Sequence, residues 1–326
     1  MTRRRRPQRA GLVRLAYRVV LAGLVSLLAC GFAVAKDDDD GEDASSKAGT
    51  PPNIYLDLRT TYAAVPANTL AIGLGETSLF ATLRNIATLA NTASGPTLPT
   101  FPTLSSPASQ NIAVDVPFTV DVSDQVSLYG GFTGSASQIG DAGWSSLAVS
   151  SWFVGFQADV YQQNGGSIPT VTLQSTFTRS VPDSPLAVTS FNNILEFSYA
   201  LDKDETRGLL AGVQHTRVDV DSSLARIHDN IVGYVGGYYQ WPDNWKFTGR
   251  VGVQSFGGAQ LLNLMPFQPF TQPIVRLDLD LMDDDDNRLF GVTAQVVWVP
   301  KPAYSFTLGT PLYAVRNGKV LGASAR

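Results

Sequence analysis

Cysteine and histidine are almost missing from this chain: Cys30 is the single cysteine, and His215 and His228 are the only histidines, in 326 residues. An internal disulfide is excluded. If the segment carrying Cys30 is removed, no cysteine nucleophile or thiolate metal site is left either. Neither histidine has another His or Cys at metal-ligand spacing. No G-x-S-x-G element accompanies them. Gly73 and Gly75 lack the third glycine and the βαβ setting of a nucleotide fingerprint. The run Asp283–Asp286 lacks the interleaved spacing and glycine of a calcium loop, and reads as a solvated turn. No metal and no cofactor is therefore expected. Charge is scarce as well. Charged residues make up 16% of the chain, against roughly 25% in ordinary soluble domains. The formal net charge is −4, and the basic residues cluster only at the N-terminus, so nothing points to a nucleic-acid partner. Beyond that N-terminus no run approaches the roughly 18 apolar residues that suggest a spanning helix. Yet 44% of the chain is hydrophobic, so the apolar residues must be dealt out in some other way.

The N-terminus reads as an export signal spanning residues 1–35. Arg3 to Arg6, Arg9, Arg14 and Arg18 form a positive region, Val19 to Ala29 an apolar one, and Ala33-Val34-Ala35 a small-x-small cleavage site. Leu27-Leu28-Ala29-Cys30 resembles a lipoprotein box, with Leu28 a poor residue for it; ordinary export with cleavage after Ala35 is the favoured reading. Residues 36–53 include Asp37-Asp38-Asp39-Asp40 and little that is apolar. Such a segment buries too little surface to order itself, and reads as a solvated, disordered mature N-terminus.

From Ile54 onward the apolar residues fall on every second position. In Ile112–Val122, the residues Ile112, Val114, Val116, Phe118, Val120 and Val122 share one face of a strand. Ala113, Asp115, Pro117, Thr119 and Asp121 share the other. The segment is about the 9–11 residues that a tilted strand needs to cross a membrane. Similar alternation recurs in 125–133, 147–161, 168–179, 191–201, 275–281 and 289–298, and around Tyr304, Phe306 and Leu308, while Ile231–Gln240 is rich in glycine and tyrosine and Lys246–Phe256 is its return strand. It is poor in 207–220, where Leu209, Leu210 and Val213 occupy both faces. In Ile168–Arg179 the polar face is threonine and glutamine, a composition suited to a polar lumen rather than to an open solvent face. The period changes in Thr77–Asn91, where Leu79, Phe80, Leu83, Ile86 and Leu89 predict a helix. With the proline-rich run after it, it makes a long loop over residues 77–107.

About twelve strands result. Short connections near Ser123, Gln162, Asp202, Trp241 and Asp283 alternate with longer ones at Thr77, Gly134, Ser180, Asp221 and Gly257. Val299–Pro302 is the one short connection among the long. An even strand number with this alternation is the plan of an antiparallel up-and-down transmembrane β-barrel, with short turns and both termini on the periplasmic side. The expected fold class is thus all-β, with a barrel over 54–309, one short loop helix, and a polar tail over 310–326.

From Ile54 to Leu308 the chain resembles Gram-negative outer-membrane β-barrel proteins of the channel or transporter kind. Trp241, Trp245 and Trp298 fall at strand ends, where interfacial aromatics belong, whereas Trp152 falls nearer mid-strand. The resemblance implies an outer-membrane location, with membrane lipid and a small polar solute as partners. The faces opposite the apolar ones carry Asp115, Asp121, Asp159, Glu196, Asp278 and Asp280, together with Lys246, Arg250 and Arg276. Charges facing lipid are costly, so these residues are expected to line the lumen. Their excess of acids predicts a preference for cations. The favoured function is a channel or transporter for passive passage of small polar solutes, not an enzyme. A structural or adhesive barrel with a blocked lumen is the alternative. An outer-membrane hydrolase built on His215 with Ser222 or Ser223 is the third reading.

Mass spectrometry of the mature protein should find Lys36 at its N-terminus and no lipid. A diacylated Cys30 would contradict that assignment.

Overall fold

The computed structural model describes residues 52–67, 108–181, 187–221, 225–261, 269–283, 288–298, 301–316 and 319–322. The strands are β1 (Asn53–Val65), β2 (Ser109–Ser123), β3 (Val126–Ile139), β4 (Ala148–Tyr161), β5 (Thr170–Ser180), β6 (Val188–Ala200) and β7 (Arg207–Val220). They continue as β8 (Ala225–Ile227), β9 (Asn230–Gln240), β10 (Trp245–Phe256), β11 (Ala259–Leu261), β12 (Phe270–Met282), β13 (Arg288–Val297), β14 (Ala303–Arg316) and β15 (Lys319–Gly322). No helix occurs among the described residues. The predicted helix over Thr77–Asn91, its proline-rich continuation, and the segments 1–35 and 36–51 lie outside them.

Twelve strands pair antiparallel in sequence order, and β1 pairs with β14 from Ile54↔Val315 to Ala64↔Tyr304, so the sheet closes into a barrel. Closure follows from the alternation. A strand with one apolar face can meet hydrocarbon on that face, but an open edge would leave unpaired N–H and C=O groups there. Phe118, Phe132, Val154, Leu209, Val235, Val251, Phe306 and Leu308 point outward and are exposed. Ala113, Thr133, Ser151, Thr178, Gln214, Thr248, Asp278 and Gln295 point inward and are buried. The arrangement inverts that of a soluble protein, as a lipid solvent requires. On the outer face Trp152 packs on Phe177 at 5.3 Å and Phe177 on Phe191 at 5.2 Å. The tryptophan that fell nearer mid-strand thus belongs to an aromatic row across β4, β5 and β6.

The short turns and both ends of the barrel chain lie together, opposite the long loops. Local chemistry sets these turns. Asp202 accepts from the Thr206 hydroxyl at 2.6 Å and the Thr206 amide at 2.8 Å. These bonds, with the nearby Arg207, hold its carboxyl below the usual aspartate range. In the next such turn Asn244 takes φ 67°, a left-handed conformation that asparagine tolerates.

Three features differ from expectation. The barrel boundary drawn at 309 falls inside β14, which runs on to Arg316 because β1 supplies partners as far as Val315. A one-residue irregularity at Pro311 and Leu312 absorbs the proline, which cannot donate to the ladder. In the loops at Asp221 and Gly257, β8 and β11 form a separate two-stranded ribbon, Ala225–Ile227 against Ala259–Leu261. Finally, the poor alternation in β7 resolves by register: Leu209 and Val213 face out, whereas Leu210 faces in and is buried.

Inward aromatic rings lie across inward glycines of the neighbouring strand. A Cβ on Gly212 would stand 2.5 Å from Tyr234 Cζ, and one on Gly155 would stand 2.6 Å from Tyr129 Cζ. Each ring thereby reaches past the glycine strand to a partner beyond it. Tyr234 donates its hydroxyl proton to Glu196 on β6 at 2.8 Å, crossing β7. Gly212→Ala should displace this ring and destabilise the barrel by about 1–3 kcal/mol, the usual cost of overpacking. The check is the temperature at which the folded, fast-migrating band converts on a gel. In a Tyr234→Ala background the same substitution should cost much less; an equal cost in both would contradict the packing account.

Candidate functional site: the charged lumen

The inward faces of β1, β2, β6, β10, β12 and β13 bring their charges into one band of the wall, and β9 adds the Tyr234 hydroxyl. Its centre is Asp278 on β12. In the β10–β12 register Arg250 stands directly opposite Arg276, two like charges that would repel. Asp278 joins them. Its carboxylate accepts from Arg250 at 2.8 Å, from Arg276 Nε and an Arg276 terminal nitrogen at 3.0 and 2.9 Å, and from the Thr293 hydroxyl at 2.6 Å. Arg250 also donates Nε to Glu196 at 3.2 Å, and its guanidinium lies 5.9 Å from the Tyr234 ring centre. Glu196, Tyr234, Arg250, Asp278, Arg276 and Thr293 therefore form one continuous network over five strands.

A second group adjoins it on β1 and β13. Arg288 passes over Gly291 and Gly309, where a Cβ would meet its Cδ at 3.1 Å and its Cζ at 3.6 Å, and it reaches Asp57 on β1 at 3.5 Å. Arg59 approaches the same Asp57 oxygen at 3.6 Å. Arg288 is also 3.9 Å from Asp280. Asp115, opposite Arg59 in the β1–β2 register, accepts from the Thr133 hydroxyl at 2.5 Å.

Of the nine residues proposed from sequence, the structure joins Glu196, Arg250, Arg276 and Asp278 directly, with Asp280 and Asp115 close by in the band. Asp121 and Asp159 lie nearer the short-turn end, tied to Ser127 at 2.6 Å and Thr172 at 2.8 Å. Lys246 is also near that end, its ammonium 4.9 Å from the Tyr238 ring centre. Sequence reasoning missed Asp57, Arg59 and Arg288. The first two were readable, because they alternate with Ile54, Leu56 and Leu58. Arg288 was not, because an irregularity between Leu281 and Met282 shifts the parity of β13 at that end.

Toward the long-loop end the inward wall changes character. Gln272 donates to Gln254 at 3.0 Å and Gln254 to Asn230 at 2.8 Å, a row of fully buried amides beside Val232, Ile274 and Phe256. The Asn230 amide nitrogen is a buried donor without a partner among the described residues. No group of three or more His, Cys, Asp or Glu side chains among those residues is arranged to hold a metal ion.

His215 points outward, not into the lumen, and pairs with Asp229 at 3.1 Å. Ser175, an outward serine on β5, donates to Asn193 at 2.7 Å. Asn193 stands opposite both Ser175 and His215 in register, so strand β6 separates hydroxyl from imidazole. An acyl-transfer base must reach its nucleophile directly. Ser222 and Ser223 lie outside the described residues, and His228 is exposed.

No protein-family model and no curated protein matches the chain. Solved structures do match by shape. An outer membrane channel from Pseudomonas putida F1 superposes with a TM-score of 0.50 at 8% identity, over 83% of this chain and 100% of that one. The translocator domain of the autotransporter NalP from Neisseria meningitidis gives 0.40 at 12%, over 81% and 88%. A Pseudomonas aeruginosa FadL homologue gives 0.36 at 11%, over 82% and 91%. At such identities the likeness is one of fold: the chain has the architecture of Gram-negative outer-membrane β-barrels.

Asp278→Asn should leave Arg250 and Arg276 opposed without their shared anion and destabilise the barrel by about 3 kcal/mol. Adding Arg276→Gln should restore much of that loss, as measured by the thermal conversion of the folded band. A double variant no more stable than Asp278→Asn alone would show that the clamp is not what balances the two arginines.

Proposed function

We propose that this chain is exported, loses residues 1–35, and forms an outer-membrane channel through which small polar solutes pass. The observation that carries the reading is Arg59. It lies within a strand of a closed barrel and faces inward, yet its side chain is 44% exposed. The lumen therefore has open space for water and a small solute along the β1 side. A passing solute exchanges its hydration for the hydroxyls, amides and guanidinium groups of the lining, while the apolar outer face holds the wall in lipid. The lining charges are largely paired with one another, so the passage is polar without being a deep trap for a permeant ion, and a conducting site must also release what it binds.

The blocked-lumen alternative is favoured by a different observation, the fully buried amide row toward the long-loop end. The two readings part in a planar bilayer. Refolded protein should give discrete conductance steps, and liposomes containing it should swell in isotonic solutions of small polar solutes. Folded barrels that carry no current and cause no swelling would favour the blocked lumen.

A further inference from the structure

By count, carboxylates lead among the described inward charges, and the count alone predicts a cation preference. A solute, however, meets only the charges that reach water. Among the acids of the band, Asp278 is 9% exposed, Asp57 19%, and Glu196 and Asp280 23% each, much like the paired Arg250 and Arg276. Glu196 lies under the Tyr234 hydroxyl and Arg250, and Asp115 takes the Thr133 hydroxyl. The most open members are cations, Arg59 at 44% and Arg288 at 36%. These two are also the most loosely held. Both approach one oxygen of Asp57, at 3.6 and 3.5 Å, whereas the ion pairs at Asp278 close to 2.8 and 2.9 Å. Asp280 stands 3.9 Å from Arg288, too far for a hydrogen bond. Asp57, Asp280 and Asp115 all lie near the two guanidinium groups, but Arg59 and Arg288 are more exposed than Asp57 and Asp280, so the surface turned to the open side of the lumen is cationic.

We infer that Arg59 and Arg288 form a binding site for small carboxylates and make the passage anion-preferring. The inference rests on the channel reading above. A guanidinium offers parallel N–H donors in a fixed fork that matches the two oxygens of a carboxylate. Two such forks converging on one Asp57 oxygen place their donors within reach of one small anion. The inward glycines Gly291 and Gly309 give the Arg288 stem the room to lie along the wall and present its head there. Low-dielectric walls focus this field across the lumen.

The test is the reversal potential of single channels in a potassium chloride gradient, for the unmodified protein and for Arg59→Gln, Arg288→Gln and both together. The unmodified channel should favour chloride. Each substitution should lower the chloride-to-potassium permeability ratio by up to about 25-fold, because one unit charge about 4 Å away in water favours chloride and disfavours potassium about fivefold each. Arg59→Lys, which keeps the charge, should retain the anion preference. Succinate added on one side should reduce the chloride current in the unmodified channel and not in the double variant, whereas neutral succinamide should do neither. The fast-migrating unheated band verifies that each variant is folded. A conducting channel that prefers cations, or whose selectivity and succinate block survive the double substitution, overturns this inference and leaves the channel reading standing. Folded protein that carries no current overturns both.

Discussion

The whole structure depends on one pairing, that of β1 with β14. A sheet in hydrocarbon has no water to satisfy the N–H and C=O groups of its edges, so it must close on itself. Here the closing seam runs from Ile54↔Val315 to Ala64↔Tyr304 and passes an irregularity at Pro311 without losing register on either side. Once the seam exists, inside and outside are defined, and the period of two assigns every strand residue to one or the other. Glycine enters on the same terms. Gly155 and Gly212 are inward positions where the absent Cβ admits a tyrosine ring from the neighbouring strand, so the wall is braced across strands as well as along its backbone ladder.

The lumen follows from the same rule. Charged side chains turn inward, and in a low-dielectric wall they must find partners or water. Around Asp278 they find partners: two arginines that would repel in register are held by one carboxylate and the Thr293 hydroxyl. Around Arg59 the ion pairs are longer and the side chain more open. The wall therefore has one sector of short, mutually neutralising ion pairs and another in which the pairs are longer and the guanidinium groups more exposed. The amide row toward the long-loop end adds a third, uncharged sector, where fully buried glutamines bond to each other.

Much of this was legible from alternation. Asp115, Asp121, Asp159, Glu196, Asp278 and Asp280, with Lys246, Arg250 and Arg276, were placed on the inner faces by alternation, and the closed antiparallel barrel follows from the strand number and the rhythm of short and long connections. What escaped depended on register and on side-chain reach. Arg288 follows a shift in the β13 ladder that no pattern announces. The two-stranded ribbon of β8 and β11 joins segments far apart in sequence, each too short to show a period. Nor does composition reveal which charges are covered, because coverage comes from the Tyr234 hydroxyl and the Thr133 and Thr293 hydroxyls on other strands. Which charges are exposed is a property of three dimensions, and a count of acids does not supply it.

The assignment of inner and outer faces is tested most directly by single-cysteine labelling along β2 in a Cys30→Ser background, with the protein in sealed liposomes and a charged, membrane-impermeant thiol reagent. Asp115→Cys, Thr119→Cys and Asp121→Cys should react, and Val114→Cys, Val116→Cys and Phe118→Cys should not. The reverse set should be reached by a lipid-borne reagent. Labelling that ignores this alternation, or reactivity of the even-numbered positions from water, would contradict the account.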